Sequence, residues 1–408
     1  MNPAIAMCAE CDVPLLSTAE ATKRIVRLTV ATTEDADGER LPLNIGLALD
    51  KSASMGGPKL ETLKKATIAL LDRLRERDMV SILAFDGKCE VIALTTTLFA
   101  AQKRDLAERI AAIRPGNGTA LLEAYLRSAG LVADHLLNQG VNEVILVTDG
   151  RANKPAHPDP DQLREHAGKL NKLGVQTSVY GIGEDIKPYY LVPLAVYGGG
   201  TYSYLPHIDA AMFQARESHL FNIVVRAATV QITAPTGVSL RLLGDIPHRV
   251  RGGNLTVYVG NLSRGQRAVL HVEMVTPTNV AGQTAPFTAR TIYRNNAGEE
   301  RAEEIVLPFR YVEHAVAKGS PRDLLVRQGA SLVRMGYAIH KALFLSDGGR
   351  DREAITALRE AIARIKYLAP AQVQELTSLT AKIEAHSLGK AEYQSHYYQA
   401  YQHQEPRR

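Results

Sequence analysis

Five oxygen-bearing side chains stand out by type and spacing. Asp50, Ser52 and Ser54 occupy alternate positions in LNIGLALDKSASMGGPKL, residues 43–60. Thr119 lies in the glycine-rich stretch PGNGTA, residues 115–120, and Asp149 is next to last in VNEVILVTDG, residues 141–150. Carboxylates and hydroxyls, with no thiolate or imidazole among them, are the donors of a hard cation. One carboxylate and two hydroxyls cannot fill an octahedron, so the first run needs help from other loops. Taken singly, a Ser or Asp after a strand often only caps the next helix. It is the grouping of the five that argues for a metal.

Such a site needs elements that deliver its donors to one place. Leu43, Ile45, Leu47, Ala48 and Leu49 are apolar and predict a buried strand ending at Asp50, and Gly56, Gly57 and Pro58 open an amphipathic helix predicted to run to Arg77. Residues 141–149 predict a second buried strand, and Ala120 begins another helix. Across 41–222 strands and helices alternate, which implies a doubly wound, mostly parallel sheet with helices on both faces. Ligands in such sheets bind beyond the carboxyl ends of the strands, where Asp50 and Asp149 fall. A helix is expected over 208–222. Gly181 and Gly183 lack the third glycine and the downstream acid of a dinucleotide fingerprint, and no triphosphate-binding loop occurs.

Asp50-Lys51-Ser52-Ala53-Ser54, a distant Thr119 and then Thr148-Asp149-Gly150 resemble the metal-ion-dependent adhesion site of von Willebrand factor A domains of bacterial type. The resemblance covers about half the chain. It implies a magnesium ion (alternatively manganese or calcium) held by Ser52, Ser54 and Thr119 through hydroxyls, and by Asp50 and Asp149 directly or through water. It also implies an open coordination position that takes a Glu or Asp carboxylate from a partner protein. Thr119 is expected in a surface loop that packs little. Lys51, in a spacer position, is expected to extend to solvent. The proline-rich loop 151–160, with His157, is expected to shape the rim.

Elsewhere the pattern changes. Residues 223–316 give short alternating stretches separated by turns, the signature of a β-sandwich. Residues 1–12 look irregular. A strand over 21–33 is a candidate to complete the sandwich, so that the metal-site domain is inserted in it. Residues 317–408 predict antiparallel helices over 324–345, 355–365 and 373–383. Tyr393, Tyr397 and Tyr401 would share one helical face, which either packs back on the protein or docks a partner.

Composition narrows the function classes. An apolar share of 45% and a charged share of 22% are those of an ordinary globular protein, and a net charge of +5 is too mild to argue for nucleic acid. No apolar run is long enough to span a bilayer. The first residues lack a signal-peptide pattern, so a cytoplasmic location is expected. Cys8, Cys11 and Cys89 suggest neither a disulfide framework nor a complete zinc site. No nucleophile–base pair is placed by motif, so a metal-dependent protein-binding module is expected rather than an enzyme. The alternatives are a partner subunit of an ATPase-driven metal- or cofactor-insertion complex, and a metal-dependent hydrolase.

Overall fold

The computed structural model describes residues 4–33, 39–150, 159–207, 218–365 and 370–407. The chain divides into two compact units. One comprises Gly38–Ile223 with Asn296–Gly298; the other comprises Met1–Asp37, Val224–Asn295 and Glu299–Arg408.

The first unit is built on β4 (Leu43–Asp50), whose eight residues are all buried. A strand covered on both faces is what a near-continuous apolar run specifies. It pairs in parallel with β5 (Met79–Phe85) on one side and β7 (Val141–Thr148) on the other. The sheet extends outward through antiparallel β6 (Cys89–Thr97) at one edge, and through β8 (Val175–Ile182) and β9 (Gly199–Leu205) at the other. Strand order therefore reverses direction between β4 and β7, the place where such sheets open a crevice at the strands' carboxyl ends.

Alternation along β4 distributes its two faces. Leu43, Ile45, Leu47 and Leu49 join a core with Leu60, Leu63 and Leu70 of α1 (Pro58–Arg73) and with Leu106 and Ile110 of α2 (Ala100–Ala111). On the opposite face Asn44 donates to the carbonyls of Val132 and His135 at 3.0 and 2.9 Å, beside α3 (Leu121–Ala133). A Cβ on Gly46 would lie 2.6 Å from Val132, so glycine is what lets α3 approach. The sheet is flanked further by α4 (Pro160–Lys172) and α5 (Pro188–Tyr197). Helix α1 stops at Arg73, short of the expected Arg77, because Leu74 turns extended. Most of the helix expected over 208–222 lies outside the described residues, and 218–222 form a short 3₁₀ turn.

The second unit contains two sheets. One orders β1 (Ile5–Cys11), β3 (Thr22–Thr32), β14 (Arg267–Thr276) and β11 (Ser239–Leu242). The other runs β12 (His248–Arg251), β13 (Asn254–Ser263), β10 (Ile223–Thr233), β15 (Thr284–Arg294), β16 (Glu300–Val312) and β2 (Leu15–Ser17). Val26 and Leu28 of the first sheet share a core with Val230, Phe287 and Phe309 of the second, as in a β-sandwich. The expectation that residues 1–12 are irregular is wrong. Ile5–Cys11 is a strand in register with β3, from Ile5 opposite Thr32 to Cys11 opposite Val26. Its alternation is masked because small and polar residues occupy the partly exposed face.

Helices follow the sandwich. Beside the three expected, now α7 (Leu324–Asp347), α8 (Asp351–Ile365) and α9 (Pro370–Glu384), stand α6 (His314–Gly319) and α10 (Lys390–Gln404). The tyrosine face of α10 packs back on the protein, with Tyr397 and Tyr401 buried. Tyr397 stacks on His340 of α7 at 4.1 Å between ring centres. His340 Nε2 lies 2.9 Å from the Tyr397 carbonyl, which can only accept, so Nδ1 is left to accept from Gln404 Nε2 at 3.0 Å. This neutral tautomer is the one burial favours. Desolvation pushes the imidazole down from 6.5 to about 4, against the opposing pull of the Tyr397 carbonyl and Asp245. A base whose pKa is depressed by folding takes up its proton more readily when unfolded, so its contribution is complete above pH 6.5 and is lost as pH falls through about 4. Urea midpoints measured across that window should decline less steeply for His340→Gln than for the natural protein. Parallel declines would show that His340 does not titrate on unfolding.

Candidate metal centre

Asp50 closes β4 and is fully buried. Its carboxylate is held from two sides. Ser52 N donates to Oδ1 at 2.8 Å, and Thr148 Oγ1, at the end of β7, donates to Oδ2 at 2.6 Å. Thr148 Oγ1 in turn accepts from Gly150 N at 2.9 Å, which fixes the hydroxyl's direction. Burial raises the Asp50 carboxyl to about 6. The bonds from Thr148 and Ser52 oppose that rise, and the neighbouring charge of Asp149 adds to it. Ser52 Oγ and Ser54 Oγ stand 3.2 Å apart, two hydroxyls turned to one spot as their alternate positions suggested.

Asp149 follows β7 directly and is 2% exposed, yet neither of its carboxylate oxygens has a hydrogen-bond partner among the described residues. The Lys59 ammonium lies 3.5 Å from Asp149 Oδ2 and 3.4 Å from the Ser54 carbonyl, so the Asp149 side and the serine corner converge on one point.

The third loop is stitched to the first. Ser52 and Gly116 form a parallel bridge, with Gly116 N donating to the Lys51 carbonyl at 2.8 Å. Ala120 N donates to the Asp86 carbonyl at 2.6 Å. Gly118 turns with φ of 83°, a left-handed conformation costly for other residues, and places Thr119 next in the chain. Thr119 is 1% exposed, so the expectation of a loosely packed surface residue is wrong: the bridge draws its loop inward.

Lys51 is likewise not free in solvent. Its ammonium pairs with Asp86 Oδ2 at 3.1 Å and Glu90 at 3.6 Å. Asp86, just past β5, was not singled out from the sequence. The available signal was that it ends a strand beside β4 as Asp50 ends β4 itself. Thr148, seen only as part of T-D-G, is the other omission, being the hydroxyl that aims Asp50. The loop 151–158, including His157, lies outside the described residues.

The donor set fits a hard divalent cation. It offers two buried carboxylates, one of them without a hydrogen-bond donor, and adjacent hydroxyls on loops that are tied together. No cluster of three or more His, Cys, Asp or Glu side chains with metal-holding geometry occurs among the described residues, so any metal held here must draw on hydroxyls as well as carboxylates.

Known proteins bear on this geometry. Residues 43–204 match the family description "von Willebrand factor type A domain", and the chain therefore carries such a domain. An uncharacterized protein of Synechocystis sp. is 26% identical over 277 residues, covering 65% of this chain and 64% of that protein. Inter-alpha-trypsin inhibitor heavy chain H4 of Homo sapiens is 24% identical over 274 residues, covering 62% of this chain and 29% of that protein. The chain thus aligns with less than two thirds of either relative. The solved structure of a von Willebrand factor type A protein from Catenulispora acidiphila superposes with a TM-score of 0.71 at 18% identity, over 91% of this chain and 88% of that one, a likeness of fold.

The stitching of the loops is testable. A Cβ on Gly116 would fall 1.6 Å from Asp86 Oδ2. Gly116→Ala should lower stability by about 1–3 kcal/mol, as overpacking does. Adding Asp86→Ala, which removes the obstructing oxygen, should recover part of that loss in chemical denaturation. Strict additivity of the two substitutions would show that the contact is not what restricts position 116.

Proposed function

We propose that the type A domain is a metal-dependent protein-binding module, in which Asp50, Ser52, Ser54, Thr119 and Asp149 hold magnesium and a partner's Glu or Asp carboxylate completes the site. The observation that carries this reading is Asp149. A carboxylate buried to that degree with no hydrogen-bond donor, and with only the partly exposed Lys59 ammonium at 3.5 Å as counter-charge, is costly unless a further cation compensates it. The same cation would oppose the rise that burial imposes on the Asp50 carboxyl and hold it ionised.

The chain's own residues prepare the site. Thr148 and the Ser52 amide occupy one lone-pair direction on each Asp50 oxygen and leave the carboxylate fixed. The bridge between Ser52 and Gly116 sets Thr119's loop against the serines, so the hydroxyl donors come on a common scaffold. When bound, the ion would supply a Lewis-acidic position to which an acidic side chain of another protein can attach. The sheet, closed behind the site by α1 and α3, would provide a rigid platform for that contact. The type A domain matched by this chain supports an interaction role.

The test is ion binding together with stability. Magnesium should raise the melting temperature of the natural protein, because a ligand that binds only the folded state stabilises it. Asp149→Ala should abolish that rise. Thr119→Val, which keeps the buried volume and removes the hydroxyl, should weaken magnesium binding by about tenfold, on the order of one lost charge-assisted contact, while Thr119→Ser should bind nearly as the natural protein does. Capture of partner proteins should require magnesium and fail with Asp50→Ala. Magnesium binding by Asp149→Ala equal to that of the natural protein would remove the reading.

A further inference from the structure

Two lysines lie close to the candidate centre, and their situations differ. The charge of Lys51 is met by Asp86 and Glu90. Lys59, the second residue of α1, points the other way. Its ammonium sits against Asp149 Oδ2 at 3.5 Å and the Ser54 carbonyl at 3.4 Å. Gly183, just beyond β8, forms a third wall, since a Cβ there would lie 3.4 Å from the same nitrogen. The Lys59 side chain remains 39% exposed although its ammonium reaches a buried carboxylate. The amino end of α1 adds partial positive charge of its own at this point.

We infer that Lys59 is a built-in counter-charge that weakens the centre's hold on a divalent cation and, in exchange, makes the loaded centre attractive to an anionic ligand. This rests on the reading of Asp50 and Asp149 as cation ligands. Two carboxylates and one ammonium carry one net negative charge. A divalent ion brings that to one net positive charge, whereas without the ammonium the loaded centre would be neutral. The like charge of Lys59 opposes the incoming metal directly, at a distance where Coulomb interactions near a protein surface still matter. The surplus positive charge then favours a carboxylate over water as the last ligand. Lys59 is thus a specificity-determining residue, trading metal affinity for selection of an acidic partner.

Calorimetric titration of magnesium into the full chain tests this with Lys59→Met, Lys59→Arg and Asp149→Ala. Lys59→Met should bind magnesium about tenfold more tightly than the natural protein, and Lys59→Arg within about twofold of it. Lys59→Gln repeats the measurement should the methionine perturb α1. The rise in melting temperature on adding magnesium, a readout independent of calorimetry, should be larger for Lys59→Met than for the natural protein. Acetate, titrated into magnesium-saturated protein as the simplest carboxylate, should bind the natural protein more tightly than Lys59→Met. Magnesium affinity equal or weaker in Lys59→Met, with binding absent in Asp149→Ala, would overturn the inference and leave the metal centre standing. Undiminished binding by Asp149→Ala would overturn both. Equal acetate affinity in the natural and Lys59→Met proteins would overturn the claim of ligand selection.

Discussion

The burial of the Asp50 carboxylate at the end of a central strand is the constraint on which the domain's working end depends. Removing an ionised carboxylate from water is expensive, and the cost is tolerated only where dipoles or charges replace the lost hydration. Here one oxygen takes the Ser52 amide and the other takes Thr148. Each donor comes from a different strand end, so the acid can be satisfied only if β4 and β7 are adjacent and in the observed register. Charge compensation and strand pairing are therefore one requirement. A slip of β7 by a single residue would withdraw the hydroxyl and turn the side chains of the strand to the opposite face.

The same economy governs the loops. Three segments separated by tens of residues meet because backbone groups of one satisfy backbone groups of another: Gly116 with Lys51, Ala120 with Asp86, Gly87 with Asn117. Side-chain donors ride on that framework. Lys51 and Asp86 brace it with an ion pair whose members are both largely shielded, in contrast to the exposed pairs along the helices, which contribute little. The brace explains why a spacer residue between two candidate ligands is a lysine that faces its own chain and not the solvent.

Much of the architecture was legible because it rests on periodicity. The largely apolar runs at 43–49 and 141–147 specify strands buried on both faces, and the alternation over 223–312 specifies half-buried ones. Asp50, Ser52 and Ser54 could be grouped from spacing alone. What escaped was set by tertiary contact. Thr119 is buried because Gly116 bridges to Ser52, and no local pattern encodes that bridge. β1 was missed because its inward residues after Ile5, namely Met7, Ala9 and Cys11, are only partly buried and its outward ones include Ala6 and Cys8, which erases the contrast that marks an amphipathic strand. Helix α10 carries almost no apolar asymmetry. Its seat on α7 depends on the His340–Tyr397 stack and on polar groups such as Gln404, which sequence periodicity does not weigh.

Strand β3 has an implication for how the protein is made. Its first neighbour, β1, leaves the ribosome before it, but its second neighbour, β14, lies far downstream. Thr276 bonds to Thr22 across 254 residues of chain. At ordinary rates of synthesis the β1–β3 ribbon waits roughly 10–50 s for that partner. Throughout the interval, residues Gly38–Ile223 of the first unit emerge while one hydrogen-bonding edge of β3 stands open. An uncovered edge bearing Val26, Leu28 and Val30 is a template for pairing with other nascent chains. The nascent protein is therefore expected to be most vulnerable to aggregation after the type A domain has been synthesised and before residue 276 appears. Early in that window, rapid folding of the type A domain reduces the exposed surface but cannot close the edge.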